Sequence, residues 1–339
     1  MPSCGSQVTI CELPIRFDTY QGCTHGCSYC FARRKNGDIS TVKPFESEDA
    51  LRRFISGKRN QETSWCDWNI PIHWGGMSDP FQPAERLQKR SLKCLKIFAD
   101  TGYPFVFSTK GAIVVEDEYL ELLTKCNAVA QISMVSPKYD RLEPGAPSFE
   151  ERLSMLPKLA QVTKRLIVRI SPYALGLSNE VSSFMSVYKS AGVYGVEIEG
   201  MKRQNKREGL VKIGGDWCYP KENLERDFEV IKSSAKSEGL AFFVGENRLR
   251  VMGDDTCCCG VSGLSGFTPN RANLNRLIKN EPILYSSKMK ETGTAKPFQQ
   301  GYAQDQAKAL QLCQMSYADC MTIYSNTKNA LRVMGLLSD

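Results

Sequence analysis

Six short runs rich in β-branched and aromatic residues recur through residues 1–200, and a stretch with helical spacing follows each of the first five. The runs cover 15–20, 70–74, 105–109, 129–135, 166–170 and 194–198, bounded by Gly, Pro or Ser, and read as strands. Helix-like segments lie between them at 47–57, 84–99, 117–125, 148–163 and 178–190. In 84–99, Ala84, Leu87, Cys94, Leu95 and Phe98 share one helical face, with Ser91 interrupting the stripe. Ser148 with Glu151 three residues on forms a capping box at the start of 148–163. Regular alternation of this kind predicts an α/β fold, a parallel sheet covered by helices, because parallel strands need long crossovers. Such strands curl into an open sheet or a barrel, and periodicity does not choose between them. After Gly200 the pattern loosens. A helix is expected at 223–237, a short strand at 241–244, and helices near 271–279 and 304–321. The expected organisation is a core over 1–200 and a mainly helical, basic, cysteine-containing extension over 201–339 on the substrate side.

No apolar run approaches about 18 residues, so no membrane span is expected. The start, MPSCGSQVTICELP, lacks a basic segment followed by an apolar one, and the expected location is the cytoplasm. In a reducing compartment fourteen cysteines point to metal or redox chemistry rather than disulfides. Cys66, Cys94 and Cys126 sit in apolar stretches and read as inert core residues. The net charge of +7 is uneven: residues 201–339 carry 20 basic and 15 acidic side chains, against 24 and 22 in residues 1–200. Its densest run, MKRQNKREG at 201–209, is a solvated face or a contact for a polyanion such as DNA or RNA.

Cys23, Cys27 and Cys30 are spaced C-x3-C-x2-C directly after the first strand. A structural zinc ion asks for four ligands, and here the fourth would be His25 or a distant cysteine. Three thiolates suit a 4Fe–4S cluster with one iron left for an exogenous ligand, a place S-adenosylmethionine can fill. The spacing, with Tyr29 before the last cysteine, resembles the signature of the radical S-adenosylmethionine superfamily. QGCTHGCSYCFAR, IHWGGMSDPFQPAE, FSTKG and EPGAPSFEERL together are similar to its spore photoproduct lyase-like branch, over roughly residues 14–200.

That resemblance implies a partial (β/α)6 TIM-like barrel with chemistry at the C-terminal ends of its strands. It implies that Cys23, Cys27 and Cys30 ligate the cluster, with Tyr29 beside the cofactor. Gly75 and Gly76 would let backbone approach the methionyl amino group, and Ser78 and Asp79 would hydrogen-bond the cofactor. Lys110 would reach the methionyl carboxylate, while Ser133 and Arg169 would serve ribose and carboxylate. The bland readings are a turn for the glycines and a solvated charge for Lys110. Arg169, between apolar neighbours, needs an anionic partner.

One departure stands out. The branch's repair enzymes carry a hydrogen-donating cysteine just after the second strand, where this chain has Gly76 and Met77. The implied activity is radical chemistry on a nucleic-acid base, thymine or modified thymine in DNA, with rearrangement or modification favoured over lyase-type repair. Electrons would come from a donor such as flavodoxin or ferredoxin. The rival readings are modification of a peptide or small molecule, and a non-catalytic iron–sulfur or zinc protein that binds nucleic acid. A second group, Cys257, Cys258 and Cys259 with Cys218, Cys313 and Cys320, reads in three ways: a second iron–sulfur cluster, a hydrogen donor, or structural packing.

Overall fold

The computed structural model describes residues 2–4, 11–32, 40–60, 63, 69–213 and 216–270. The helices expected at 271–279 and 304–321, and Cys66, Cys313 and Cys320, lie outside the described residues. In chain order the strands are β1 Ser3–Cys4, β2 Ile15–Phe17, β3 Tyr20–Gln21, β4 Lys43–Pro44, β5 Ile72–Trp74, β6 Phe105–Thr109 and β7 Ala128–Ser133. They continue as β8 Arg165–Tyr173, β9 Gly195–Gly200, β10 Lys202–Arg203, β11 Val211–Ile213, β12 Asp216–Cys218 and β13 Ala241–Val244. Eight of them form one sheet in the order β1-β2-β5-β6-β7-β8-β9-β13, parallel throughout except for β1. Its end strands do not pair with each other. This is the expected partial barrel, carried one strand further: after the helix Lys221–Ser237, β13 adds itself in parallel beside β9.

Alternate residues of a strand face opposite ways. The outward set, including Phe17, Trp74, Phe105, Phe107, Ile132 and Val168, is fully buried under helices. Trp74 centres this layer, with ring centroids of Phe81, Phe98 and Phe105 at 5.5, 5.7 and 6.0 Å. The inward set has two tiers. At the N-terminal end Val106, Val129, Ile167 and Phe243 pack against Leu13, Cys257, Cys259, Val261 and Phe267. Further along the strands it turns polar, with His73, Ser108, Gln131, Arg169 and Glu197.

The segment expected as one helix over 84–99 is two, Glu85–Gln88 and Arg90–Thr101, broken at Lys89 with φ 51°. The cause is the fully buried Glu85 carboxylate, which accepts from the amides of Ser91 at 2.9 Å and Leu92 at 2.8 Å and so caps the second helix. The break changes the helical phase. Leu87 is therefore 88% exposed rather than part of the buried stripe, and Ser91 is buried, donating to the Pro80 carbonyl at 2.5 Å. The segment 178–190 likewise divides into Ser178–Ser182 and Met185–Ser190. At the division Ser183 donates its hydroxyl to the Glu180 carbonyl, in competition with the helical ladder. The capping box at Ser148 forms as read, with Glu151 N–H donating to Ser148 Oγ at 3.2 Å and Ser148 N–H to Glu151 at 2.7 Å. The basic run 201–209 falls at a small antiparallel sheet, β10-β12-β11, and residues 203–209 are exposed. Among the described residues no helix is long and apolar enough to cross a membrane.

Candidate active site

The loops at the C-terminal ends of β2, β5, β6 and β7 form one rim. Its first part is the turn Gly75–Asp79. Gly75 has φ 90°, and a Cβ there would stand 2.5 Å from the Ser108 carbonyl oxygen and 2.9 Å from Pro80 Cδ, so the turn itself demands glycine. Gly76 is different, since its Cβ would meet only the Arg16 side chain, at an ordinary 3.5 Å from Cδ and 3.8 Å from Nη1. The amides of Met77 and Ser78 both donate to Asp18 Oδ1 at 3.0 Å, and the Ser78 hydroxyl donates to the Tyr20 carbonyl at 2.6 Å. Burial pushes the Asp18 carboxyl up to about 6 against those two amides.

Asp79 fastens three loops together. Its Oδ1 accepts from Phe81 N–H at 2.9 Å and the Thr109 hydroxyl at 2.6 Å, and its Oδ2 from Lys110 N–H at 2.7 Å. His25 Nε2, from the cysteine loop, lies 3.1 Å from Oδ2, an ion-pair contact whose angles fall short of a hydrogen bond. Burial alone would raise the Asp79 carboxyl, but His25 and the donors around it hold it down to about 2. His25 shows the reciprocal effect: burial acts to lower its pKa, and Asp79 with the Gly145 carbonyl raises it overall. With Nδ1 also 2.9 Å from that carbonyl, both ring nitrogens face protein partners rather than a metal.

Cys23, Cys27 and Cys30 are unpaired and partly exposed. Their loop is clamped through its backbone. On one side Gln82 accepts from Thr24 N–H and donates to the Gly22 carbonyl, both at 3.0 Å. On the other, Ser28 N–H donates to the Leu142 carbonyl and Gly145 N–H to the His25 carbonyl, both at 2.9 Å. Burial and the Asp79 charge push the Cys23 thiol up to about 12, and burial raises that of Cys27 although Lys110 opposes it. Among the described residues no three His, Cys, Asp or Glu side chains gather as ligands of one metal ion. A four-iron cluster asks for another arrangement, one thiolate for each of three irons.

Behind the loop lies a second charged knot. The Tyr29 hydroxyl donates to Glu143, whose other oxygen sits 2.6 Å from the guanidinium of the fully buried Arg152. Arg152 also donates to the Ser133 carbonyl at 2.7 Å, fixing the end of β7. Burial, then Glu143, raises the Tyr29 phenol far above its ordinary range, so it stays a donor. The Lys110 ammonium, 14% exposed, stands 3.9 Å from Glu143. The rim thus brings together Cys23, Cys27, Cys30, Tyr29, Gly75, Gly76, Ser78, Asp79, Lys110 and Ser133.

Arg169 lies on the inner face and its anionic partners are protein carboxylates, Glu197 at 3.1 Å and Glu199 at 3.3 Å. Burial raises Glu197. It acts the same way on Glu199, where Lys202 and Arg169 outweigh it and hold that carboxyl low. Below them, Cys257 and Cys259 are buried in the lower tier, and Cys258 is partly exposed. A hydrogen bond from Cys259 lowers the Cys258 thiol; burial opposes this, Arg250 and Arg169 assist, and the thiol is held below its ordinary range. Cys218 sits apart, in β12, where it clusters with Ile213 of β11.

Glu143, Arg152, Gln82 and the Glu197–Glu199 pair were not singled out from the sequence. The last pair carries a readable signal: in GVEIEG two carboxylates alternate with apolar residues, which puts both on the face shared with Arg169. Glu143 and Gln82 sit in loops, where no periodicity marks an inward residue.

No family model matches the chain. Uncharacterised proteins of Mycobacterium bovis and Mycobacterium tuberculosis are 23% identical to it over 212 residues, 58% of this chain and 62% of theirs. The chain therefore spans less than two thirds of the length of these relatives. Among solved structures, a doubly substituted spore photoproduct lyase with bound AdoMet and dinucleoside spore photoproduct superposes with a TM-score of 0.57 at 17% identity, over 68% of this chain and 76% of that one. The lyase complexed with the dinucleoside spore photoproduct gives 0.57 at 16% identity over the same shares. A singly substituted form with the same lesion gives 0.57 at 15%, over 71% and 80%. At such identity the likeness is one of fold.

Proposed function

We propose that this chain is a radical S-adenosylmethionine enzyme that acts on a nucleic-acid base, thymine or a modified thymine in DNA. The observation that carries the reading is the cysteine loop. Three unpaired, partly open thiols sit on a backbone clamped from two sides, at the C-terminal rim of a parallel sheet with the fold of spore photoproduct lyase. The donor set fits a 4Fe–4S cluster on Cys23, Cys27 and Cys30, since all three thiols are unpaired and His25 is turned to Asp79. When bound, the cluster and S-adenosylmethionine supply an electron and a 5′-deoxyadenosyl radical that abstracts hydrogen.

The chain's own residues bind and orient. Gly76 leaves bare backbone for the methionyl group, and Lys110, only loosely matched to Glu143 at 3.9 Å, offers its ammonium to a carboxylate. Ser133 ends β7, the strand paired with the one that Lys110 follows. Asp79 and Ser78 act as positioning residues, since their oxygens hold the rim loops in register. Arg169, matched by Glu197 and Glu199, shapes the inner face toward the substrate. The nucleic-acid part of the reading is supported by the dinucleoside lesion bound in the structural neighbours and by the basic run 201–209. We take residues 1–200 as the radical core and 201–339 as the substrate-side extension, with a flavodoxin or ferredoxin as electron donor in the cytoplasm. Without a thiol at Gly76 or Met77, rearrangement or modification is favoured over repair by the lyase route.

The test supplies anaerobically reconstituted, reduced enzyme with S-adenosylmethionine and with modified or unmodified DNA, followed by mass spectrometry of the nucleosides. New nucleosides together with 5′-deoxyadenosine are expected. Absence of 5′-deoxyadenosine under all conditions would remove the enzymatic reading.

A further inference from the structure

Among the described residues, Arg16 apart, the buried and half-buried arginines around the sheet are matched by carboxylates or by several acceptors. Arg152 meets Glu143 and Asp140, Arg169 meets Glu197 and Glu199, and Arg248 meets Glu246. Arg250 donates to the Thr256 carbonyl and to Asn247. Arg16, half-buried on the inner face of β2, has a single hydrogen-bond partner among the described residues, and it is neutral: Nη1 donates to His73 Nδ1 at 2.8 Å. Among those residues no carboxylate lies within ion-pair distance of it. Asp18 senses its charge, but Asp18 Oδ1 already accepts from the Met77 and Ser78 amides.

The contact to His73 is directional. A guanidinium can only donate, so Nδ1 is the acceptor, the ring proton is on Nε2, and the imidazole is neutral. His73 Nε2 then donates to Ser108 Oγ at 2.9 Å, and the Ser108 hydroxyl donates to Gln131 Oε1 at 2.8 Å. The chain crosses four neighbouring strands, β2, β5, β6 and β7. It fixes Arg16 without neutralising it, and a half-buried guanidinium with no carboxylate in contact is less well compensated than the paired arginines. Its stem lies against Gly76, where a Cβ would stand 3.5 Å from Cδ and 3.8 Å from Nη1. Gly76, whose neighbours among the described residues would leave room for a side chain, lies beside this cation.

We propose that Arg16 is an oxyanion-binding residue of this site, whose remaining guanidinium edge takes a carboxylate or phosphate oxygen of a ligand seated against Gly76. Which ligand carries the oxygen rests on the function proposed above: the methionyl carboxylate of S-adenosylmethionine or a phosphodiester of the substrate.

The test measures binding to the reconstituted full chain, wild type and R16Q, with iron content and melting temperature as controls. The probes are S-adenosylmethionine, its decarboxylated analogue, the dinucleotide TpT and inorganic phosphate. R16Q is expected to weaken either S-adenosylmethionine or TpT at least tenfold, and the one affected identifies the source. The decarboxylated analogue should bind both proteins alike. If R16Q loses iron, R16K takes its place and is expected to keep part of the affinity, since the charge remains while the forked donor is lost. Equal binding of both oxyanion ligands by wild type and variant overturns the proposal, as does an equal loss for the decarboxylated analogue and its parent. If the wild type binds neither organic ligand, the function proposed above fails, and Arg16 is judged on phosphate alone. Phosphate binding abolished by R16Q then supports the assignment, and phosphate bound equally or by neither protein overturns it.

Discussion

The two cysteine groups share a residue type and little else. At the rim, the backbone around Cys23, Cys27 and Cys30 is fastened at Gly22, Thr24, His25 and Ser28, while the thiols stay partly open. On the floor, Cys257 and Cys259 are packed among Val106, Val129, Ile167 and Phe243, and the partly exposed Cys258 has the charges of Arg250 and Arg169 nearby. A loop whose main chain is tied down and whose side chains are not can hold an added group. A loop whose side chains fill a core is part of the fold.

The largest expected effect comes from the rim. Changing Cys23, Cys27 and Cys30 together to Ala should abolish both iron binding and 5′-deoxyadenosine formation, measured by iron assay and chromatography. The same change at Cys257, Cys258 and Cys259 should leave iron per folded chain unaltered. Iron that survives the first change, or falls with the second, breaks the contrast.

Next is the fastener beneath the rim. Asp79→Asn removes the charge facing His25 and should destabilise by about 3–5 kcal/mol, as for one partner of a largely buried pair. The pH dependence sharpens this. A carboxyl held near 2 in the fold and near 4 in the open chain adds stability that is complete above pH 4 and lost as pH falls toward 2, about 2 kcal/mol in all. Acid melts of wild type should show that loss and those of D79N should not; parallel curves would mean that Asp79 is not the group titrating.

On the floor, Cys257→Ala and Cys259→Ala should each cost about 1–2 kcal/mol of unfolding free energy, since each removes a buried sulfur from a packed tier. Chemical denaturation would report it, and unchanged midpoints would contradict the packing role. The smallest effect is kinetic. Alkylation of Cys258 should level off at a lower pH than that of Cys23 and Cys27, because the Cys259 hydrogen bond and the two arginines hold its thiol down while burial raises the other two. A Cys258 rate that climbs over the same pH range as those of Cys23 and Cys27, followed by peptide mass spectrometry, would show that neither the Cys259 hydrogen bond nor the arginines stabilise its thiolate.

The strands were legible because a parallel sheet covered on its outer face needs buried apolar runs, and the spacing of the three cysteines was legible because it is local. What stayed hidden was pairwise and distant. Nothing near Leu87 announces that Glu85 will turn inward to cap the next helix and expose that leucine. Arg169 read as a cation in need of an anion, and its partners turned out to be two carboxylates of the neighbouring strand, met only once β8 and β9 are in register. Glu143 looked like any loop acid, yet it joins Tyr29, Lys110 and Arg152. Arg16 drew no notice in a strand, where the neutrality of its partner is a property of the His73–Ser108–Gln131 chain.

Gly145 sets a limit on how portable the cysteine motif is. A Cβ there would stand 2.3 Å from the Thr24 carbonyl oxygen and 3.0 Å from His25 Cα, so two loops distant in sequence cross with no room between them. The cysteine loop is moulded by that crossing and has little shape of its own. A peptide spanning Cys23 to Cys30, or the same residues grafted onto another scaffold, would carry the thiols but lose the surface that spaces them. The contacts that shape the loop close over long sequence separations, so it is expected to take its final form late in folding, after β7 and its following loop have docked.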